Sequence, residues 1–126
     1  MIRLLIKIGK MKDTQFKKRS DLTEIYKDLL DINDEIVFNY TVSLLVANAI
    51  PIINENYNLW PQSRKKTIEH LKFHCYDGYK HIEILLSTKC SFAKKRDAAK
   101  NLIDFALKAH GGVLEGDATI FRVNGL

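Results

Sequence analysis

The sequence predicts an α+β domain, with about four helices and a small, mostly antiparallel sheet. Three observations predict it. Ile2, Leu4, Ile6 and Ile8 alternate with Arg3 and Lys7, which is strand periodicity. Leu22, Ile25, Tyr26, Leu29 and Leu30 fall at i, i+3, i+4, i+7 and i+8, the stripe of a core-facing helix. The helical stretches come first and the extended ones mostly late, an order that argues against a doubly wound sheet.

The elements follow in order. Residues 2–8 are the first expected strand. Arg3, Lys7 and Lys10 would also share one helix face, so a membrane-surface segment is the competing reading. Residues 20–31 form the clearest helix, with Ser20 as its cap and Asp21 and Glu24 at its positive end. Asp34 opens a buried helix that runs to about Ala49 and is stopped by Pro51. Residues 54–61 make a loop carrying Tyr57 and Trp60. Ser63 opens a helix with Ile68, Leu71 and Cys75 inward and Gly78 as its stop. Residues 79–86 read as a strand bounded by Gly78 and Ser87-Thr88. Ser91 opens the last helix, with Phe92, Ala99, Leu102, Ile103 and Ala106 on its apolar face and Gly111-Gly112 ending it. Strands at 113–115 and 118–123 complete the sheet as a hairpin turned by Gly116-Asp117.

The chain has 126 residues, enough for a single domain over 1–126. Residues 1–11 read as a loosely attached N-terminal extension, and Met11 is a second candidate start. Cys75 and Cys90 form no CxxC pair and no disulfide framework, which points to a reduced, cytoplasmic protein. Lysines interrupt the N-terminal apolar run too early for a signal-peptide core. The uncharged stretch 36–54 contains Asn39, Thr41, Ser43, Asn48 and Pro51, so a buried helix suits it better than a membrane span.

Charge is distributed unevenly. Net charge is +5, yet no Lys or Arg occurs from Asp28 to Ser63. That stretch carries Asp28, Asp31, Asp34, Glu35 and Glu55. The remainder carries the other ten acidic residues against all twenty basic ones. Two electrostatic faces result, one of them suited to anionic partners.

Nine of the cations sit in three triplets: Lys17-Lys18-Arg19, Arg64-Lys65-Lys66 and Lys94-Lys95-Arg96. Each lies at an expected helix N-terminus, beside Ser20, Ser63 or Ser91. The helix dipole makes that end unfavourable for cations unless an anion joins them. Free N–H groups plus Lys and Arg make a phosphate site. Trp60, Tyr57 and Phe92 are near enough in sequence to stack on bases. No helix-turn-helix, zinc finger, RNP motif or KH loop is present, so binding by shape and charge is expected. The alternative is a solvated basic face, with pairs such as Lys100–Asp104 and Asp104–Lys108 lacing the last helix.

Chemical constellations are weaker. His70 and His74 are one helical turn apart, as a metal pair requires, but no HExxH is present. Cys75 falls on an apolar stripe, which suits a buried thiol better than a nucleophile. Asp77 and Glu83 flank the start of the expected strand at 79–86, but the position two beyond Glu83 is Leu85, not the Lys of a nuclease site. The expected function is therefore non-enzymatic binding of nucleic acid or nucleotide phosphates, with no cofactor and no membrane. The expected protein is a homo-oligomer associating through 36–53. A protein–protein accessory role is the alternative, and a small metal-dependent hydrolase using His70 and His74 is the third reading.

Overall fold

The structure, a computed structural model, describes residues 2–108, with side chains from Lys17 onward. Five helices make up the described residues: α1 (Ile2–Asp31), α2 (Glu35–Asn56), α3 (Arg64–His74), α4 (Tyr76–Leu86) and α5 (Phe92–Leu107). No strand occurs among the described residues, so the expected α+β class is corrected to an all-helical one. The expected strands at 113–115 and 118–123 lie outside the described residues.

Helix α2 is the centre. It packs against α1, α5 and α4, while α3 and α5 flank α4. Phe38, Val42, Leu45, Ala49, Ile52 and Ile53 recur at helical spacing and are almost fully buried. Leu22 and Leu29 of α1, Ile82 and Leu85 of α4, and Leu102 and Ile103 of α5 complete the core around it. By length and composition α2 could cross a membrane, and 44% of its apolar window is buried inside this fold.

The corrections have physical causes. Residues 2–8 belong to α1, not to a strand, and α1 therefore does not begin at Ser20. A strand there would have no described partner for its backbone groups, whereas a helix pairs them within itself. Residues 79–86 lie in α4. Alternation at Ile82, Ile84 and Leu86 competes there with a spacing of three through Tyr79, Ile82 and Leu85, and the latter residues are the buried set. The Tyr79 hydroxyl donates to Glu83 Oε2 at 2.7 Å, a contact one helical turn long.

Pro51 does not stop α2. It sits on the exposed side of the helix, which continues to Asn56 and caps at Tyr57. Gly78 is not a helix stop either. The break falls at Cys75, with φ −149° and ψ 64°, and Gly78 lies in the first turn of α4. A Cβ at Gly78 would meet Phe105 Cε1 of α5 at 2.9 Å, so its small size lets α4 and α5 approach closely.

Candidate functional site

The site begins at the C-terminal end of α2. Helix α2 brings Ile50, Pro51, Asn54 and Glu55 to one side of an open groove of about 830 Å³. The loop after α2 supplies Asn58, Leu59, Trp60, Pro61 and Gln62, and α3 supplies Thr67. Asn58 takes a left-handed conformation, φ 54°, which an Asn side chain tolerates better than most. That turn lets the Leu59 N–H donate to the Asn54 carbonyl at 2.8 Å and folds the loop back over α2.

Trp60 stands at the groove with 81% of its surface exposed. Just beyond it, Ser63 occupies the N-cap position of α3 without using its side chain as a cap. Its carbonyl instead accepts from the N–H groups of Lys66 and Thr67, and from the Thr67 hydroxyl at 2.8 Å. The N–H groups of Arg64 and Lys65 belong to the first turn, which has no intrahelical acceptor for them. Arg64, Lys65 and Lys66 are all exposed. Cationic side chains and unmatched N–H groups thus share one end of α3, next to an exposed indole.

The three basic triplets do not form one surface. Lys17-Lys18-Arg19 lies in the body of α1, not at a helix start. Lys18 Nζ is 2.9 Å from Glu55 Oε2, and Glu55 lines the groove, so Lys18 meets the edge of the groove from α1. Arg19 is 8% exposed, and burial lowers the pKa of its guanidinium.

Lys94-Lys95-Arg96 lies near the other end of α2. Arg96 Nε donates to the Leu29 carbonyl at 2.9 Å, and its Nη2 donates to the Ile32 carbonyl at 2.6 Å. Its guanidinium also lies over the stacked rings of Phe38 and Phe92. From Phe38 to Glu55 is about 25 Å along the helix. Lys95 is 7% exposed, which leaves Lys94 as the exposed member of this triplet.

No family model matches this chain, and no curated protein or solved structure is significantly similar to it.

The other constellations resolve simply. The His70 and His74 rings lie 4.4 Å apart, but no group of three metal-ligating side chains exists among the described residues. Cys75 is buried, and that burial pushes its thiol pKa up, against a nucleophilic role. Glu83 is engaged by Tyr79, and Asp77 lies 3.8 Å from Lys80. The expected pairs Lys100–Asp104 and Asp104–Lys108 are not among the ion pairs formed by the described residues.

Sequence reasoning passed over Asn54. It is 8% exposed, and its Oδ1 is buried without a hydrogen-bond partner. The signal was present: a polar residue directly follows Ile52 and Ile53 in the apolar run of α2.

Proposed function

We propose that the protein binds nucleic acid through its phosphates, without catalysing a reaction, at the groove end of α2 and the N-terminus of α3. The observation that carries this reading is the exposed Arg64-Lys65-Lys66 run on an uncapped helix start beside Trp60. Lys17 is exposed on α1 and contributes from there, while Lys18 is held by Glu55 at 2.9 Å. Arg19, Lys95 and Arg96 drop out of the binding set, because burial and contacts within the fold occupy them. Lys94 drops out as well. It belongs to the triplet near the Phe38 end of α2, away from the groove.

The test is binding of labelled oligonucleotides across a salt series. Each phosphate contact steepens the fall of log K with log salt by about 0.9 for duplex DNA or about 0.7 for a single strand. The R64A/K65A/K66A variant is expected to flatten that slope, and Lys94→Ala is expected to leave it unchanged. Equal slopes for the wild-type chain and the triple variant would refute the reading.

A second reading, association with another protein, draws on one observation. Ile36, Val37, Tyr40 and Leu44 form an exposed apolar stripe along α2. We propose that a homo-oligomer would associate through this stripe. Leu45 and Val46, also within 36–53, are buried in the protein's own core and so unable to serve as the contact.

A further inference from the structure

We propose that the groove between α2 and the α2–α3 loop seats one base of a single-stranded nucleic acid, with Asn54 on the base edge and Trp60 on its face. The inference rests on the phosphate-binding reading above and gives it a ligand class.

Asn54 carries the argument. More than nine-tenths of its surface is buried, its Oδ1 has no hydrogen-bond partner, and the residue lines the groove. A buried amide oxygen without a donor is costly, and such atoms are rare in folded proteins. Rotation about the Cβ–Cγ bond exchanges oxygen and nitrogen, so the amide can offer either group to the groove. A nucleobase edge is the natural complement. A ring nitrogen or carbonyl accepts from the amide N–H in one orientation, and an exocyclic amine or ring N–H donates to the amide oxygen in the other.

The surroundings fit the same ligand. Ile50, Pro51 and Leu59 supply apolar lining, and Trp60 supplies an exposed aromatic surface. Unpaired bases stack on such rings, whereas bases inside a duplex are not available to them. Glu55 also lines the groove, and Lys18 at 2.9 Å offsets its charge. Arg64-Lys65-Lys66 falls between two groove-lining residues, Gln62 and Thr67, and brings three exposed cations beside the groove from α3. A run of three cations suits successive phosphates, which belong to a strand and not to a free mononucleotide.

Trp60 is the chain's only tryptophan, so its fluorescence reports on the groove directly. The probes are short single-stranded homopolymers, an abasic homopolymer of equal length, and free nucleoside monophosphates. Base-bearing strands are expected to quench Trp60 saturably, and the abasic strand is not. Asn54→Leu removes the orphaned amide at similar volume and is expected to keep or raise thermal stability. It should weaken base-bearing strands by about tenfold and leave abasic binding unchanged. Trp60→Ala changes a solvent-exposed residue and is expected to give a similar loss, read by anisotropy of the labelled strand.

Equal binding of abasic and base-bearing strands would overturn the base site while leaving the phosphate reading standing. So would base-bearing affinity that neither variant alters. Mononucleotides binding as tightly as strands would overturn the assignment of a strand. Failure of every strand to bind at low salt would remove the phosphate reading itself.

Discussion

Arg96 shows how one side chain changes role between sequence and fold. It belongs to a basic triplet, yet its guanidinium closes the C-terminal end of α1 by donating to the carbonyls of Leu29 and Ile32. Those carbonyls belong to the end of a helix, where intrahelical donors run out. The planar guanidinium also lies over Phe38 and Phe92, an arrangement lysine cannot reproduce. Arg96→Ala is expected to cost about 2–3 kcal/mol, measured by chemical denaturation. A loss within a few tenths of a kcal/mol would refute the capping role. His81 gives a pH-dependent prediction. Burial is the main cause of its lowered pKa, with Lys80 adding to the effect and Asp77 opposing it. Below its ordinary value of 6.5, the unfolded chain therefore takes up this proton more readily than the folded one. Stability contributed by neutral His81 is present above that pH and lost as pH falls toward the folded pKa. Thermal denaturation should show Tm dropping as the buffer goes below about 6.5, and His81→Gln should make that drop shallower.

Among the elements, the starts of α2, α3 and α5 were legible, and those of α1 and α4 were not. Asp34 caps α2 by accepting from the Val37 N–H at 2.9 Å, as its position before an apolar-rich helix suggests. Ser91 caps α5 through the Lys94 N–H at 3.2 Å. Ser63 holds the corresponding place before α3 but makes no such bond. The two serines should therefore respond differently to the same change. Ser91→Ala is expected to lose about 1 kcal/mol, and Ser63→Ala only a few tenths, by denaturant titration. Equal losses would show that Ser63 caps in solution and that the α3 N-terminus is not open to a ligand. The stop at Cys75 had no punctuation in the sequence, because Gly78 offered the conventional signal three residues later. Packing uses that glycine for the approach of Phe105, not for a turn.

At the scale of the molecule, charge and apolar surface are arranged around α2. The acidic residues Asp28, Asp31, Asp34 and Glu35 gather about the α1–α2 turn, where Arg96 supplies a structural cation. The other end of α2 carries the groove, with Lys18 on α1 and the exposed triplet on α3. Between them runs the stripe of Ile36, Val37, Tyr40 and Leu44. Tyr40 is 64% exposed, so Tyr40→Glu tests association without disturbing the core. The expected result is a smaller species by light scattering with an unchanged circular dichroism spectrum. A variant that keeps the wild-type mass would exclude this face as the interface.

The sequence by itself determined the α2 core helix, the Ser91-capped last helix, the buried Cys75 and the segregation of charge. Each depends on local spacing or on composition, which a linear reading preserves. Only the tertiary structure decided that residues 2–8 and 79–86 are helical, because short apolar alternations fit both periods and their packing partners settle the choice. It also decided which triplets face solvent. Arg19, Lys95 and Arg96 look like their neighbours in sequence, but burial depends on how α1, α2 and α5 meet. Asn54 belongs to the same class. A polar residue in an apolar run is visible in the sequence, but whether its amide finds a partner depends on the groups that the fold brings around it.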